Sequence, residues 1–322
     1  MSVITESTEP RTRSRVGWPD LLWVTWRQHR ALLLTSILLT LVGIALALSM
    51  TGLLASRNQP MVSLLGFDAL TTPARWVLLA EQGFGVFIAV FWAAPLVSAE
   101  YERRTNLLAW SQDVSPLRWL TGKVALLLPM ALVLAGAVGF AGKVVADHYH
   151  HDDNFRQFDA AVFEASPLLQ VGFAGFGFAL GLALSVITRR TVLSMALTLG
   201  IFAVVRFALI PARPYYLTPE RDFHPIGQPG WLVTEHDIWL DAGYLNTAGE
   251  QLEFPPVCQN LGSGVPGGRD ECLRGQGIVG VYYDYQPAGR VPVFQLIEFG
   301  VFAALAALLF VVTWRVVRRV QG

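Results

Sequence analysis

The feature that most constrains this sequence is a set of six long stretches almost free of Asp, Glu, Lys and Arg. A helix needs about 20 apolar residues to cross the hydrocarbon core of a bilayer. Such stretches are expected to cross as helices, because lipid offers no partner for backbone polar groups. The predicted spans are residues 31–54, 77–97, 119–141, 167–188, 191–210 and 293–314.

Composition agrees with a membrane protein. Apolar residues make up 53% of the chain and charged residues 15%, whereas soluble domains are about 25% charged. The first thirty residues contain five arginines and no apolar core of a signal peptide, so no cleavable leader is expected. The predicted fold class is an all-α integral membrane protein with six transmembrane helices.

Lys and Arg in the connections set the expected orientation, because positive charge is retained on the cytoplasmic side. With the N-terminus inside, the inner segments carry Arg103, Arg104, Arg118, Lys123, Arg189, Arg190, Arg315, Arg318 and Arg319. Both termini are therefore expected in the cytoplasm, at the cell membrane. The predicted regions are a cytoplasmic N-terminus (1–30), spans one to five (31–210), an extracytoplasmic subdomain (211–292), and span six with a basic tail (293–322).

The extracytoplasmic segment is polar and rich in Pro and Gly, which predicts a small subdomain with a few strands and turns. Cys258 and Cys272 lie in it, on the side assigned to the oxidising compartment. A disulfide is predicted, worth about 3 kcal/mol for a loop of about 15 residues. Two free thiols are the alternative.

Several charged residues lie near the ends of spans. Glu81, Lys143 and Arg206 are close to outer ends, where anchoring at the headgroups is the favoured interpretation. The alternative is that they line a transport path. Glu298 makes the start of span six uncertain in the sequence.

Gly177 and Gly181 have GxxxG spacing, which predicts close helix packing in span four.

Two segments at the inner side have an amphipathic character. Before span one, Trp23 and Trp26 share a face with cationic Arg27 and Arg30 nearby, which suggests a helix lying in the interface. The alternative is that they anchor the start of span one. After span two, a short amphipathic helix is plausible from about residue 98 to 110. On these residues alone, a solvated connection is favoured there.

Motifs for catalysis are absent from the sequence: it contains no HExxH, no GxSxG and no GxxxxGK[ST]. The chain is therefore expected not to be an enzyme, to bind no cofactor itself and to have no nucleic-acid partner. His148, His150 and His151 cluster with acidic residues in one loop, but their spacing matches no ordered zinc motif. A solvated loop is favoured over a metal site.

Three separated motifs resemble those of the actinobacterial ABC-2-type transporter permeases. They are WVTWRQHR (23–30), APLVSAEYERRTNLLAWSQDVSPLRW (94–119) and YQPAGRVPVFQLIE (285–298), and the resemblance extends over residues 18–319. It implies the six-helix ABC-2 fold, dimerisation with a second permease chain, and a separate ATPase subunit that binds ATP and Mg. It also implies export by alternating access.

The resemblance assigns roles to the two amphipathic segments. The first becomes an interfacial elbow helix. The second, at about 98–115, becomes a coupling helix that docks on the ATPase. The implied coupling residues are Glu100, Tyr101, Glu102, Arg103, Arg104, Thr105 and Leu108. The sequence departs from the family at Pro116 and Leu117, where two basic residues are expected.

Two other functions are compatible with the topology. A membrane-anchored sensor or assembly protein would use the outer subdomain for binding and the spans as anchors. An ion-coupled secondary transporter would need a buried carboxylate or a broken helix near the midplane. The sequence shows no charge there that identifies one.

Overall fold

A computed structural model describes residues 17–55, 68–104, 114–148, 156–228, 234, 236–263 and 266–319. In this part of the chain, six helical stretches are long and apolar enough to cross a membrane. They are Trp18–Ser49, Ala74–Glu102, Pro116–His148, Pro167–Thr188, Thr191–Tyr215 and Ala288–Arg319, and we number them spans one to six. The predicted six-span helical fold is confirmed.

The helices that form the spans are α1 (Trp18–Ala55), α2 (Asp68–Gln82), α3 (Phe84–Phe87), α4 (Pro95–Glu102), α5 (Pro116–His148), α7 (Pro167–Thr188), α8 (Thr191–Leu209) and α10 (Val291–Arg319). A short helix, α6 (Ala160–Phe163), precedes α7. Successive spans alternate in direction. The start of α1 and the end of α10 therefore lie at one end of the bundle, where Val317 packs in one core cluster with Leu33 and Leu120.

Helix α1 differs from the predicted boundary at residue 31. It runs without a break from Trp18, so the predicted interfacial segment continues directly into span one. No Gly or Pro separates the two parts between Asp20 and Gly43, and the backbone has no reason to turn there.

Span two is irregular. Between α3 and α4 the backbone forms a π-helical segment, Ile88–Ala93. Pro95 opens α4, and a proline cannot donate to the helical ladder. Ser185 of α7 supports the chain beyond this interruption, because its hydroxyl oxygen accepts hydrogen bonds from the backbone N–H of Val97 (3.1 Å) and Ser98 (2.8 Å).

Helix α7 is the central helix, in contact with α5, α8, α10 and the π-helical segment. Gly177 and Gly181 face that segment. A side chain at Gly181 would lie 2.5 Å from the carbonyl oxygen of Ala89 and 2.8 Å from the Cβ of Ala93. The backbone of span two approaches α7 this closely because these positions have no side chain.

A four-stranded antiparallel sheet connects spans five and six. Its strands are β1 (Glu220–Pro225), β2 (Ile238–Asn246), β3 (Gln251–Leu252) and β4 (Ile278–Gln286), in the order β1-β4-β2-β3. We call this unit the sheet subdomain, and the end of the bundle that carries it the sheet end. The predicted strands thus form one small sheet.

The Cys258–Cys272 disulfide is present and joins a 3₁₀ turn to α9 (Arg269–Gly275). Cys258 packs with Leu273 and Ile278 in a small core cluster of its own. The disulfide therefore fastens α9 to the small apolar core of the sheet subdomain.

Candidate functional site

The residues after span two meet other spans at the end of the bundle opposite the sheet. Glu102 is the last residue of α4, and its carboxylate accepts hydrogen bonds from the backbone N–H (2.9 Å) and the hydroxyl (2.7 Å) of Thr191. Thr191 is the first residue of α8. A carboxylate there satisfies a free N–H and lies favourably at the positive end of the helix dipole.

Further contacts complete this region, which we call the junction and define as Glu100, Tyr101, Glu102, Lys123, Arg189 and Thr191. The buried Lys123 of α5 donates to Glu100 and lies 4.5 Å from the centre of the Trp119 ring. The Arg189 guanidinium lies 4.9 Å from the centre of the Tyr101 ring. The end of span two is thus fixed to span three and to the turn between spans four and five.

The predicted coupling residues fall partly inside this region. Glu100, Tyr101 and Glu102 belong to the last turn of span two rather than to the start of a separate helix. Arg103 and Arg104 form an exposed turn, with Arg104 in the left-handed region (φ 56°). Thr105 and Leu108 lie outside the described residues.

The predicted interfacial residues lie on the surface of α1. Trp23 is 58% exposed and Trp26 is 37% exposed, and Arg27 and Arg30 are exposed as well. Arg27 lies 5.3 Å from the centre of the Trp23 ring. These contacts suit either an interfacial position or simple anchoring of the first span.

A second polar cluster lies at the sheet end and was not found from the sequence. Glu164 follows α6, Arg206 lies in the last turn of α8, Arg213 lies in the 3₁₀ turn after α8, and Glu298 lies in α10. All four are buried, with Glu298 fully inaccessible. We call them the buried quartet.

The quartet is a chain of ion pairs. Arg206 donates to Glu164 and also, at 2.6 Å, to the carbonyl oxygen of Gln82. Arg213 bridges both acids: its Nη2 lies 2.5 Å from Glu164 Oε1, and its Nε lies 2.8 Å from Glu298 Oε2. The formal charges sum to zero, which lets four ionised groups be buried together.

The quartet corrects two expectations. Arg206 does not extend to the headgroups: its side chain is 9% exposed and held inside the bundle. Glu298 does not interrupt span six at the surface but points inward to Arg213. Each looked unpaired in the sequence because its partner is 42 or 85 residues away.

Next to the quartet, burial raises the pKa of Tyr216 to about 12, and the Glu298 carboxylate adds to this shift.

Glu81 also differs from the favoured interpretation. It is only 8% exposed and lies within the bundle, against Gly142 of α5. Lys143, by contrast, is exposed and pairs with Asp147 one turn on, at 2.9 Å. Lys143 thus fits the anchoring interpretation, whereas Glu81 is buried inside the bundle and does not.

The histidine cluster is mostly outside the described residues. His148 ends α5, and His150 and His151 are among the residues for which no structure is described. Within the described ranges, no group of three or more His, Cys, Asp or Glu side chains is arranged to hold a metal ion.

The sheet subdomain carries an exposed ion pair between neighbouring strands. Arg221 of β1 and Asp284 of β4 are opposite each other in the register and form two hydrogen bonds of 2.7 Å. These hydrogen bonds hold the pKa of Asp284 below its usual range.

The family model described as "ABC-2 membrane transporter related" matches residues 30–213. The chain belongs to this family. The match covers more than half of the sequence and confirms the resemblance to ABC-2 permeases; of the three motifs, it contains 94–119 in full, whereas 285–298 lies beyond it. No curated protein and no solved structure matches the chain significantly.

Membership in the ABC-2 family makes the chain a multi-pass membrane protein of a transporter family and supports a permease subunit. The matched region contains the whole junction and three members of the buried quartet, Glu164, Arg206 and Arg213. The sheet subdomain and Glu298 lie beyond it. The junction therefore lies inside the matched region, and the sheet subdomain lies in the part of the chain outside the match.

Proposed function

We propose that this chain is the permease subunit of an ABC-2-type exporter, driven by a separate ATPase that docks at the junction. In this arrangement the ATPase binds ATP and Mg, and two permease chains together enclose the translocation path. Both termini and the junction face the cytoplasm, and the sheet subdomain faces outward. The arginines at the junction end support this orientation.

The observation that carries the proposal is the attachment of Glu102 to Thr191. The resemblance locates the coupling helix at about 98–115, a segment that contains Glu102. A force applied there reaches α8 through two hydrogen bonds, and it reaches α5 through the Glu100–Lys123 pair. One docking event can therefore move the inner ends of spans two, three and five together.

The remainder of span two contains the point at which the helix can bend during this motion. The π-helical segment and Pro95 interrupt its hydrogen-bond ladder, and such interruptions are where helices bend. Gly177 and Gly181 allow that segment to lie close to α7. In the proposed cycle, closure of two ATPase subunits displaces the junction, span two bends at residues 88–95, and the path reopens outward.

The first experiment is co-purification. Affinity-tagged chain expressed in its native host should bring down an ATPase subunit in a fixed ratio, and ATP hydrolysis by that subunit should depend on this chain. A sensor or assembly protein would purify without such a subunit, and this result would reject the proposal.

The second experiment separates coupling from assembly. We expect Glu102→Lys to insert in the membrane normally and to lose ATP-driven transport, because the lysine repels Arg103 and Arg190 and cannot accept the Thr191 hydrogen bonds. Glu253→Lys, at an exposed position of the sheet subdomain, is the matched control. Normal transport by the Glu102 variant would contradict the proposed role of the junction.

A further inference from the structure

A cavity lies between spans one, two and three, toward the sheet end of the bundle. Its volume is about 300 Å³, and its walls are apolar side chains of α1, α2, α3 and α5. Leu39 and Leu46 form part of its rim and are 59% and 54% exposed, so the cavity opens on the side of the spans rather than on a loop. A compound dissolved in the membrane can therefore reach it directly.

Two polar residues line this apolar space. Glu81 is 8% exposed and Thr40 is 4% exposed, and both line the cavity. Neither the Oε1 atom of Glu81 nor the hydroxyl of Thr40 has a hydrogen-bond partner among the described residues. A third polar residue of the cavity, Ser36, is satisfied by the Trp92 indole and the Leu32 carbonyl.

The backbone makes room for the Glu81 carboxylate. It lies against Gly142, and a Cβ at that position would overlap the carboxylate oxygens. Gly142 is six residues before the end of α5, which is about 9 Å along the helix axis. A buried acid is costly unless a counter-charge or donor meets each of its oxygens, and Oε1 of Glu81 meets neither among the described residues.

We propose that this cavity is a binding site for an amphiphilic cation: an apolar body that carries one protonated amine. The amine donates to Glu81 Oε1 and to the Thr40 oxygen, and the body fills the space between Ile44, Val77 and Phe87. The inference rests on the proposed transport function and specifies the class of its substrate. Charge complementarity selects this occupant, because a neutral lipid chain leaves the acid unmatched.

Equilibrium binding tests the proposal without the ATPase. The full chain is placed in nanodiscs of phosphatidylcholine, and octylamine binding is compared with that of octanol, with empty nanodiscs as the baseline. We expect octylamine to bind at least tenfold more tightly than octanol. We expect Glu81→Gln to weaken octylamine binding at least tenfold, or about 1.4 kcal/mol, and to leave octanol binding unchanged.

Two further variants secure the interpretation. Thr40→Val should weaken octylamine binding severalfold, since it removes the second acceptor and keeps the volume. Glu253→Gln removes an exposed carboxylate and should change neither ligand. Glu81→Gln removes the acid and keeps nearly the same side-chain size, so the variant should remain folded, which its elution profile checks.

Equal binding of the amine and the alcohol, or unchanged octylamine binding by Glu81→Gln, would overturn the proposal. If self-association of the chain displaces octylamine, a second copy of the chain occupies the cavity opening instead. That result would overturn the proposal as well. If octylamine does not bind as proposed, the ATPase subunit should still co-purify with the chain. Failure of the binding site is therefore distinguishable from failure of the proposed function.

Discussion

Arg213 is the residue whose loss should affect stability most, because two buried acids depend on it. Its side chain is 3% exposed and donates to both Glu164 and Glu298. In Arg213→Met, Glu164 keeps its pair with Arg206, but Glu298 loses both of its hydrogen bonds from Arg213. The variant therefore leaves one buried carboxylate without its cation.

Removing one partner of a buried pair costs about 3–5 kcal/mol. Unfolding entropy of about 2.1 cal/mol/K per residue corresponds, for 322 residues, to about 0.7 kcal/mol/K. A loss of about 4 kcal/mol should then lower the melting temperature by about 6 °C. The assay is the loss of the monodisperse chromatographic peak after heating in detergent.

The double variant Arg213→Met with Glu298→Met removes both charges and leaves the Glu164–Arg206 pair intact. It should melt within about 2 °C of the wild type, since apolar replacement of a buried pair is often neutral. Arg221→Met is the matched control, because it removes an exposed arginine worth at most about 1 kcal/mol. The reasoning is refuted if Arg213→Met melts like the wild type, or if the double variant melts as low as the single one.

Two other predictions concern the sheet subdomain. Replacing Cys258 and Cys272 by Ser opens a loop of about 15 residues and should destabilise the subdomain by about 3 kcal/mol; limited proteolysis should then cut it faster, and an unchanged cleavage rate would contradict this. Asp284 has a pKa lowered by Arg221, so its stabilising contribution is complete above its unfolded value of about 3.9 and is lost as pH falls through the lower folded value. The difference in melting temperature between wild type and Asp284→Asn should thus be constant above about pH 5 and shrink below about pH 4; a difference that persists to lower pH would count against the ion pair.

Much of the fold could be predicted because its determinants are local. A stretch of about 20 apolar residues specifies a span wherever it occurs, and six of them fix how many times the chain crosses. The disulfide was predictable as well, since both cysteines lie in one polar segment. The small residues of span four marked a packing face by their spacing alone.

The site was only partly predictable. The three motifs led to Glu100 and Glu102, but their contacts with Lys123 and Thr191 join residues 23 and 89 positions apart. Lys123 was counted as an inner positive charge, although its side chain is 2% exposed. No spacing rule connects such positions, because distant residues meet only when the spans pack.

The six charge-poor stretches determine by themselves that this chain crosses a membrane. The transfer of apolar surface out of water depends on the composition of each stretch and not on its contacts with other parts of the chain. What each charge near those stretches does was decided by the tertiary structure. Arg206 and Glu81 look alike in sequence, as charged residues near the ends of spans. Arg206 is buried and paired with Glu164, whereas Glu81 lines an apolar cavity and its Oε1 has no partner among the described residues. The role of a charged residue depends on which groups surround it. Those groups come from distant parts of the sequence and meet only when the helices pack.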